Sequence, residues 1–168
     1  YLDGIMLKRS WGGEIKNVSL LAAIGVDTDG FRRVLGVVEG HKEDKSGWLG
    51  FLKHLKQRGL EGIQLIISDA CLGLAEAAAE CFPEAAWQRC TVHFYRNVFS
   101  HVPRTKIRIV AAMLKAIHAQ ESREAAQDKA RDVVKKLTAM RLGAAAKLVE
   151  DSIDETLGYY AFPSQHWL

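Results

Sequence analysis

Along the first ninety positions the apolar residues alternate or run in short blocks; after residue 104 they recur every three or four positions. That change of period predicts a mixed β/α half followed by an all-helical half. Tyr1–Arg9 reads as a strand, and Val18–Asp27 and Phe31–Glu39 as two more, joined by Thr28-Asp29-Gly30. The Asp-Gly pair suits the positive dihedrals of a tight hairpin, so three antiparallel strands are expected. Ser46 is placed to cap a helix whose apolar positions Trp48, Leu49, Leu52 and Leu55 recur until Gly59 stops it. The run Gly62–Ser68 is short, rich in isoleucine and apolar on both faces, as a central strand covered on both sides requires. A helix over Ala70–Cys81, Pro83, and a short strand over Ala86–Cys90 follow.

Three strands, helix, strand, helix, strand, helix is the order of the ribonuclease H-like fold, an α/β fold with a mixed five-stranded sheet and flanking helices. From Arg104 the stripes Ile107, Val110, Ala111, Leu114 and Ile117, then Ala126, Ala130, Val133, Val134 and Leu137, then Ala145, Leu148, Val149, Ile153 and Leu157 predict three amphipathic helices, broken by Phe162-Pro163. The expected division is a core over residues 1–103, an all-α insertion over 104–161 and a return segment over 162–168.

With 168 residues, 48% of them hydrophobic and 26% charged, the chain has the composition of a globular domain with its own core. The longest apolar run, Val18–Val26, is far short of the ~20 residues that span a bilayer, so no membrane partner is expected. The net charge of +3 says little by itself. Its distribution says more: Arg96, Arg104, Lys106, Arg108 and Lys115 fall in a stretch without Asp or Glu, a local excess suited either to a phosphate backbone or to a solvated helix face. Cys71, Cys81 and Cys90 form an odd set that points to reduced thiols.

Two carboxylates stand out. Asp3 lies in the first strand, and Asp69 ends the buried strand at 62–68. If the first and fourth strands are neighbours, both reach one edge, where hard oxygen ligands would select Mg²⁺ or Mn²⁺ and support phosphoryl transfer through a pair of ions. Each has a plainer alternative: Asp3-Gly4 as a turn, Asp69 as a helix cap. Cys90-Thr91-Val92-His93 invites a zinc reading, but a structural site wants four ligands and no second pair has the spacing. A Cys and an orienting His opening a helix fit better. Neither a Gly-x-Ser-x-Gly elbow nor a phosphate-binding Gly-x-x-x-x-Gly-Lys loop occurs.

The segments Leu2-Asp3-Gly4, Ser46-Gly47-Trp48, Gln57-Arg58-Gly59-Leu60, Leu65–Ala70, Gly73-Leu74, Phe82-Pro83, Trp87–His93 and Arg96-Asn97-Val98 resemble the mutator-type transposases of bacterial insertion sequences, which are Asp-Asp-Glu recombinases. The resemblance runs over nearly the whole chain. It implies that Asp3 and Asp69 are the first two catalytic, metal-binding carboxylates, and that Cys90 and His93 form the Cys-x-x-His signature and have a positioning role. It also implies two Mg²⁺ or Mn²⁺ ions, double-stranded DNA as partner, a homodimer on paired ends, and a cytoplasmic, nucleoid-associated location. Arg89, Arg96, Arg104, Lys106, Arg108 and Lys115 are the expected DNA-binding cations. In the family the catalytic Glu follows a segment that Pro163-Ser164-Gln165-His166-Trp167 matches, so the expectation is that the 168 residues stop short of it, lack the N-terminal DNA-binding region, and do not cut DNA alone. Glu150, Asp151, Asp154 and Glu155 are read as helix-surface charges. The competing expectations are a non-catalytic nucleic-acid-binding or interaction module that keeps the fold, and a cellular ribonuclease H or junction nuclease, which would lack the Cys-x-x-His segment.

Overall fold

The computed structural model describes residues 1–40 and 44–164. Residues 41–43 and the 165–168 end of the predicted return segment lie outside them. Strands β1 (Leu2–Trp11), β2 (Glu14–Val26) and β3 (Arg32–Gly40) form an antiparallel meander. Then come α1 (Lys45–Gln57), β4 (Leu65–Ser68), α2 (Leu72–Cys81), β5 (Ala86–Arg89) and α3 (Thr91–Phe99). A short 3-10 turn at Arg104–Lys106 leads into α4 (Ile107–His118), α5 (Arg123–Ala139) and α6 (Gly143–Ser152), and two further 3-10 turns follow at Ile153–Thr156 and Gly158–Ala161. The chain divides into two compact units, Tyr1–Trp87 and Gln88–Leu168, a division earlier than the 103/104 boundary read from the sequence.

In the first unit the α/β class is as expected, but the strands fall into two hydrogen-bonded sheets, β1-β2-β3 and the parallel pair β4-β5, not one sheet of five. β4 offers only four residues for a ladder, with Ala86 N–H donating to Gln64 O (2.9 Å) at its start. β1 and β4 nonetheless touch. The helix α2 between β4 and β5 is the crossover that a parallel pair needs. Leu2, Leu21 and Ala23 from the meander join Trp48, Phe51, Leu52 and Leu55 of α1, Ile66 of β4 and Leu74, Ala77, Ala78 and Cys81 of α2 in one core. Gly36 lets α1 approach the sheet: a Cβ there would stand 3.0 Å from Leu55 Cδ2.

The first hairpin is longer than expected. β1 and β2 pair continuously from Leu2↔Ala23 to Trp11↔Glu14, and Gly12 and Gly13 make the turn at φ 57° and 85°, values that side chains rarely adopt. The cap of α1 also differs: Asp44, not Ser46, caps it, its Oδ1 accepting from Gly47 N–H (2.9 Å) and from the Ser46 hydroxyl (2.8 Å).

In the second unit the three predicted stripes are buried as a single core, with Val110, Leu114 and Ile117 from α4, Ala126, Ala130, Val133 and Leu137 from α5, and Ala145 and Val149 from α6. Phe94 and Val98 of α3 and Val102 belong to the same core, which is why α3 groups with the helices. No described helix is long and apolar enough to cross a membrane.

Candidate active site

Asp69 follows β4 directly and is half-buried. It does not cap α2, which starts three residues later at Leu72, with Cys71 at the cap position and no side-chain bond there. Its Oδ1 instead accepts from the adjacent Ala70 N–H (2.7 Å). The backbone beneath it is held by a relay: Trp87 Nε1 donates to Ser68 Oγ (2.9 Å), and the Ser68 hydroxyl donates to Asp69 O (2.9 Å). Ser68 is buried, so this relay ties the end of β4 to β5 inside the first unit. The sequence reading missed both residues of the relay; a hydroxyl at the inward end of an apolar strand was the one available signal.

Asp3 is exposed on β1, opposite Ala22 of β2. Asp3 on β1 and Asp69 just past the end of β4 thus belong to two strands that touch, within one compact unit. Their donor set suits a hard divalent cation, since carboxylate oxygens are its preferred ligands. Among the described residues no three His, Cys, Asp or Glu side chains come together as a metal-binding group.

Cys90 occupies the cap position of α3 without a side-chain cap bond, and His93 lies in the first turn of that helix. Both are half-buried in the second unit. Cys71 is exposed and Cys81 buried, and burial raises the Cys81 thiol pKa.

Among the predicted DNA-binding cations, Arg96, Arg104, Arg108 and Lys115 are exposed. Arg108 and Lys115 are seven apart on α4, two turns on, and so share a stripe opposite its buried residues. Lys106 is half-buried and its Nζ donates to Met140 O (3.1 Å) just past the end of α5, where a cation complements the helix dipole. Arg89 is different. It is only 7% exposed, its guanidinium pairs with Glu155 (3.2 Å) and lies 5.5 Å over the Phe94 ring. Both partners are in its own unit, so it is a buried structural cation and not a surface one. The acidic residues of the α6 region are engaged locally too: Asp151 with Lys147 (2.9 Å), Asp154 with Gln127 (2.6 Å), Glu155 with Arg89.

The second unit also holds a polar cluster that the sequence did not announce. His118 Nδ1 lies 2.8 Å from Tyr95 Oη and Nε2 lies 2.8 Å from Thr156 Oγ1. The Tyr95 hydroxyl donates to Leu114 O (3.1 Å) and the Thr156 hydroxyl to Ile153 O (2.7 Å), so the Thr156 oxygen is left to receive Nε2–H, while Nδ1 also lies 3.2 Å from Leu114 O. Burial lowers the His118 pKa and pushes that of Tyr95 up to about 12.

A family model described as "Transposase, Mutator family" matches residues 1–168. The chain is 37% identical over 98% of its length to the transposase of insertion sequence ISRM5 from Rhizobium meliloti, covering 41% of that protein. It is 35% identical over 98% of its length to the IS1081 transposase of Mycobacterium tuberculosis, covering 40% of it, and 38% identical over 92% to the IST2 transposase of Acidithiobacillus ferrooxidans, covering 52%.

Proposed function

The chain belongs to the Mutator family of transposases, and on that premise we propose that it forms part of the catalytic core of an Asp-Asp-Glu transposase. It spans about two-fifths to half the length of the relatives it matches. Asp3 and Asp69 are read as two of the three carboxylates that hold Mg²⁺ or Mn²⁺ beside DNA. The observation that supports this reading is that β1, which bears Asp3, and β4, which Asp69 directly follows, touch within one unit.

Bound there, a divalent pair would supply activation of a nucleophilic oxygen and charge stabilisation on a phosphodiester. The chain's own part is to place the carboxylates. The Trp87–Ser68 relay fixes the main chain at Asp69, and the Ala70 N–H occupies Oδ1. The parent enzyme would hydrolyse a strand at the transposon end and join the freed 3′ hydroxyl to target DNA, as a homodimer on paired ends. Arg96, Arg104, Arg108 and Lys115 supply the sequence-independent attraction to the DNA backbone.

The test is strand cleavage of a transposon-end duplex with Mg²⁺ by the full-length parent carrying Asp3→Asn or Asp69→Asn. Loss of cleavage in each variant, with folding intact, is expected. Undiminished cleavage in both would leave the alternative, a non-catalytic nucleic-acid-binding module.

A further inference from the structure

Among the described residues β3 pairs with β2 over Ser19–Val26, and the hairpin made by Leu7–Trp11 and Glu14–Val18 runs on past that stretch as a two-stranded ribbon. Five residue pairs at ~3.4 Å per residue give it a reach of roughly 17 Å. Its residues are exposed on both faces as far as Asn17. Nothing in the core explains its composition. It carries Lys8, Arg9 and Lys16 against one acid, Glu14, and Trp11 stands at its tip, 70% exposed.

The register sharpens the point. Arg9 lies directly opposite Lys16, a like-charge pair that costs stability in an isolated sheet. Each cation is balanced only by a solvent-exposed ion pair, Arg9 with Glu39 (3.2 Å) and Lys16 with Glu14 (3.2 Å), both of a kind that contributes little. Trp11 is the next residue along the same face, and the Arg9 guanidinium lies 4.7 Å over its ring. Two opposed cations beside an exposed aromatic ring are what a phosphate and its adjoining base require: charge for one, a stacking surface for the other.

We propose that the β1–β2 ribbon is a nucleic-acid contact, with Arg9 and Lys16 taking a backbone phosphate and Trp11 stacking an unpaired or frayed base. This rests on the reading of the protein as one that acts on DNA, and adds a site distant along β1 from Asp3. Eight residues separate Asp3 from Trp11, so a strand held at the tip lies roughly 27 Å from the carboxylate. The ribbon would therefore grip DNA flanking the reacting bond and not the bond itself.

The experiment uses the 168-residue chain with a fluorescent oligothymidylate and a blunt duplex of equal length, across a salt series. Trp11→Ala weakens oligothymidylate binding roughly five-fold or more and Trp11→Phe restores part of it, with the salt slope unchanged. Arg9→Gln with Lys16→Gln flattens the log–log salt slope for the single strand by ~0.7, one phosphate. Thermal melting confirms that each variant folds, which is expected since none of these side chains enters the core. Trp11→Ala binding like the wild type overturns the proposal, as does a change in oligomeric state without a change in binding, which would make the ribbon a protein contact. A parallel variant with Arg104, Arg108 and Lys115 changed to Gln keeps the two readings apart. If that variant loses binding while Trp11→Ala does not, the ribbon inference fails and the DNA reading stands; catalytic loss or retention at Asp3 and Asp69 bears on the carboxylates alone.

Discussion

Acidification should unfold the helical unit through one imidazole. His118 is half-buried between Tyr95 of α3 and Thr156, its two ring nitrogens each 2.8 Å from one of their hydroxyl oxygens. Burial puts its folded pKa below the ordinary value of 6.5. Above that value the imidazole is neutral in both states and the stability is complete. As pH falls below it, the unfolded chain takes up a proton that the folded chain refuses, so stability declines. The loss continues until pH passes the lowered folded pKa, where it levels off. One proton sets the limiting slope at ~1.4 kcal/mol per pH unit. His118→Gln abolishes the titration and, by depriving Tyr95 and Thr156 of their partner, costs about 1–3 kcal/mol at neutral pH. Urea denaturation of both proteins between about pH 7.5 and about pH 5 isolates the effect, because His41, His54, His93, His101 and His166 are common to both. The difference in stability between wild type and variant should shrink as pH falls. A difference that stays constant, or widens in acid, would refute the argument from burial.

Gly73→Ala should destabilise the first unit by about 1–3 kcal/mol, because the new methyl would stand 2.7 Å from the backbone nitrogen of Lys45 and force α2 away from α1. Gly50→Ala on the open side of α1 meets nothing within 4 Å and should raise stability by about 0.5–1 kcal/mol; equal urea midpoints for the two variants would contradict both. Glu155→Ala leaves the buried Arg89 guanidinium without its carboxylate and should cost about 1–3 kcal/mol by denaturation, with Arg89→Met plus Glu155→Ala recovering part of the loss. If the single variant melts with the wild type, the pair has no structural role.

The helical half was readable because burial imposes the period: each stripe read from the sequence became a wall of one core, and α3 was set apart only because its own apolar residues, Phe94 and Val98, are too few to show where they pack. The first hairpin was underread for the opposite reason. Lys8–Trp11 and Glu14–Asn17 touch no core, so no alternation marks them as strand, and Gly12-Gly13 was the one usable sign of the turn. Asp44 took the cap from Ser46 because a carboxylate two residues earlier reaches both Gly47 N–H and the Ser46 hydroxyl. Strand order in the sequence pointed to Asp3 and Asp69 as candidates, while the Trp87–Ser68 relay and the Tyr95–His118–Thr156 cluster join residues 19 to 38 positions apart, which local patterning cannot register. Arg89 was grouped with the DNA-binding cations because charge was weighed without burial, and Gln88 and Arg89 at the end of β5 are both buried.

Crystals of the protein soaked in Mn²⁺ and measured at the manganese absorption edge would locate bound metal directly. The account predicts an anomalous peak shared by the carboxylates of Asp3 and Asp69, at roughly 2–2.3 Å from an oxygen of each. A peak bound elsewhere, or the two carboxylates pointing away from one another with no metal between them, would contradict it.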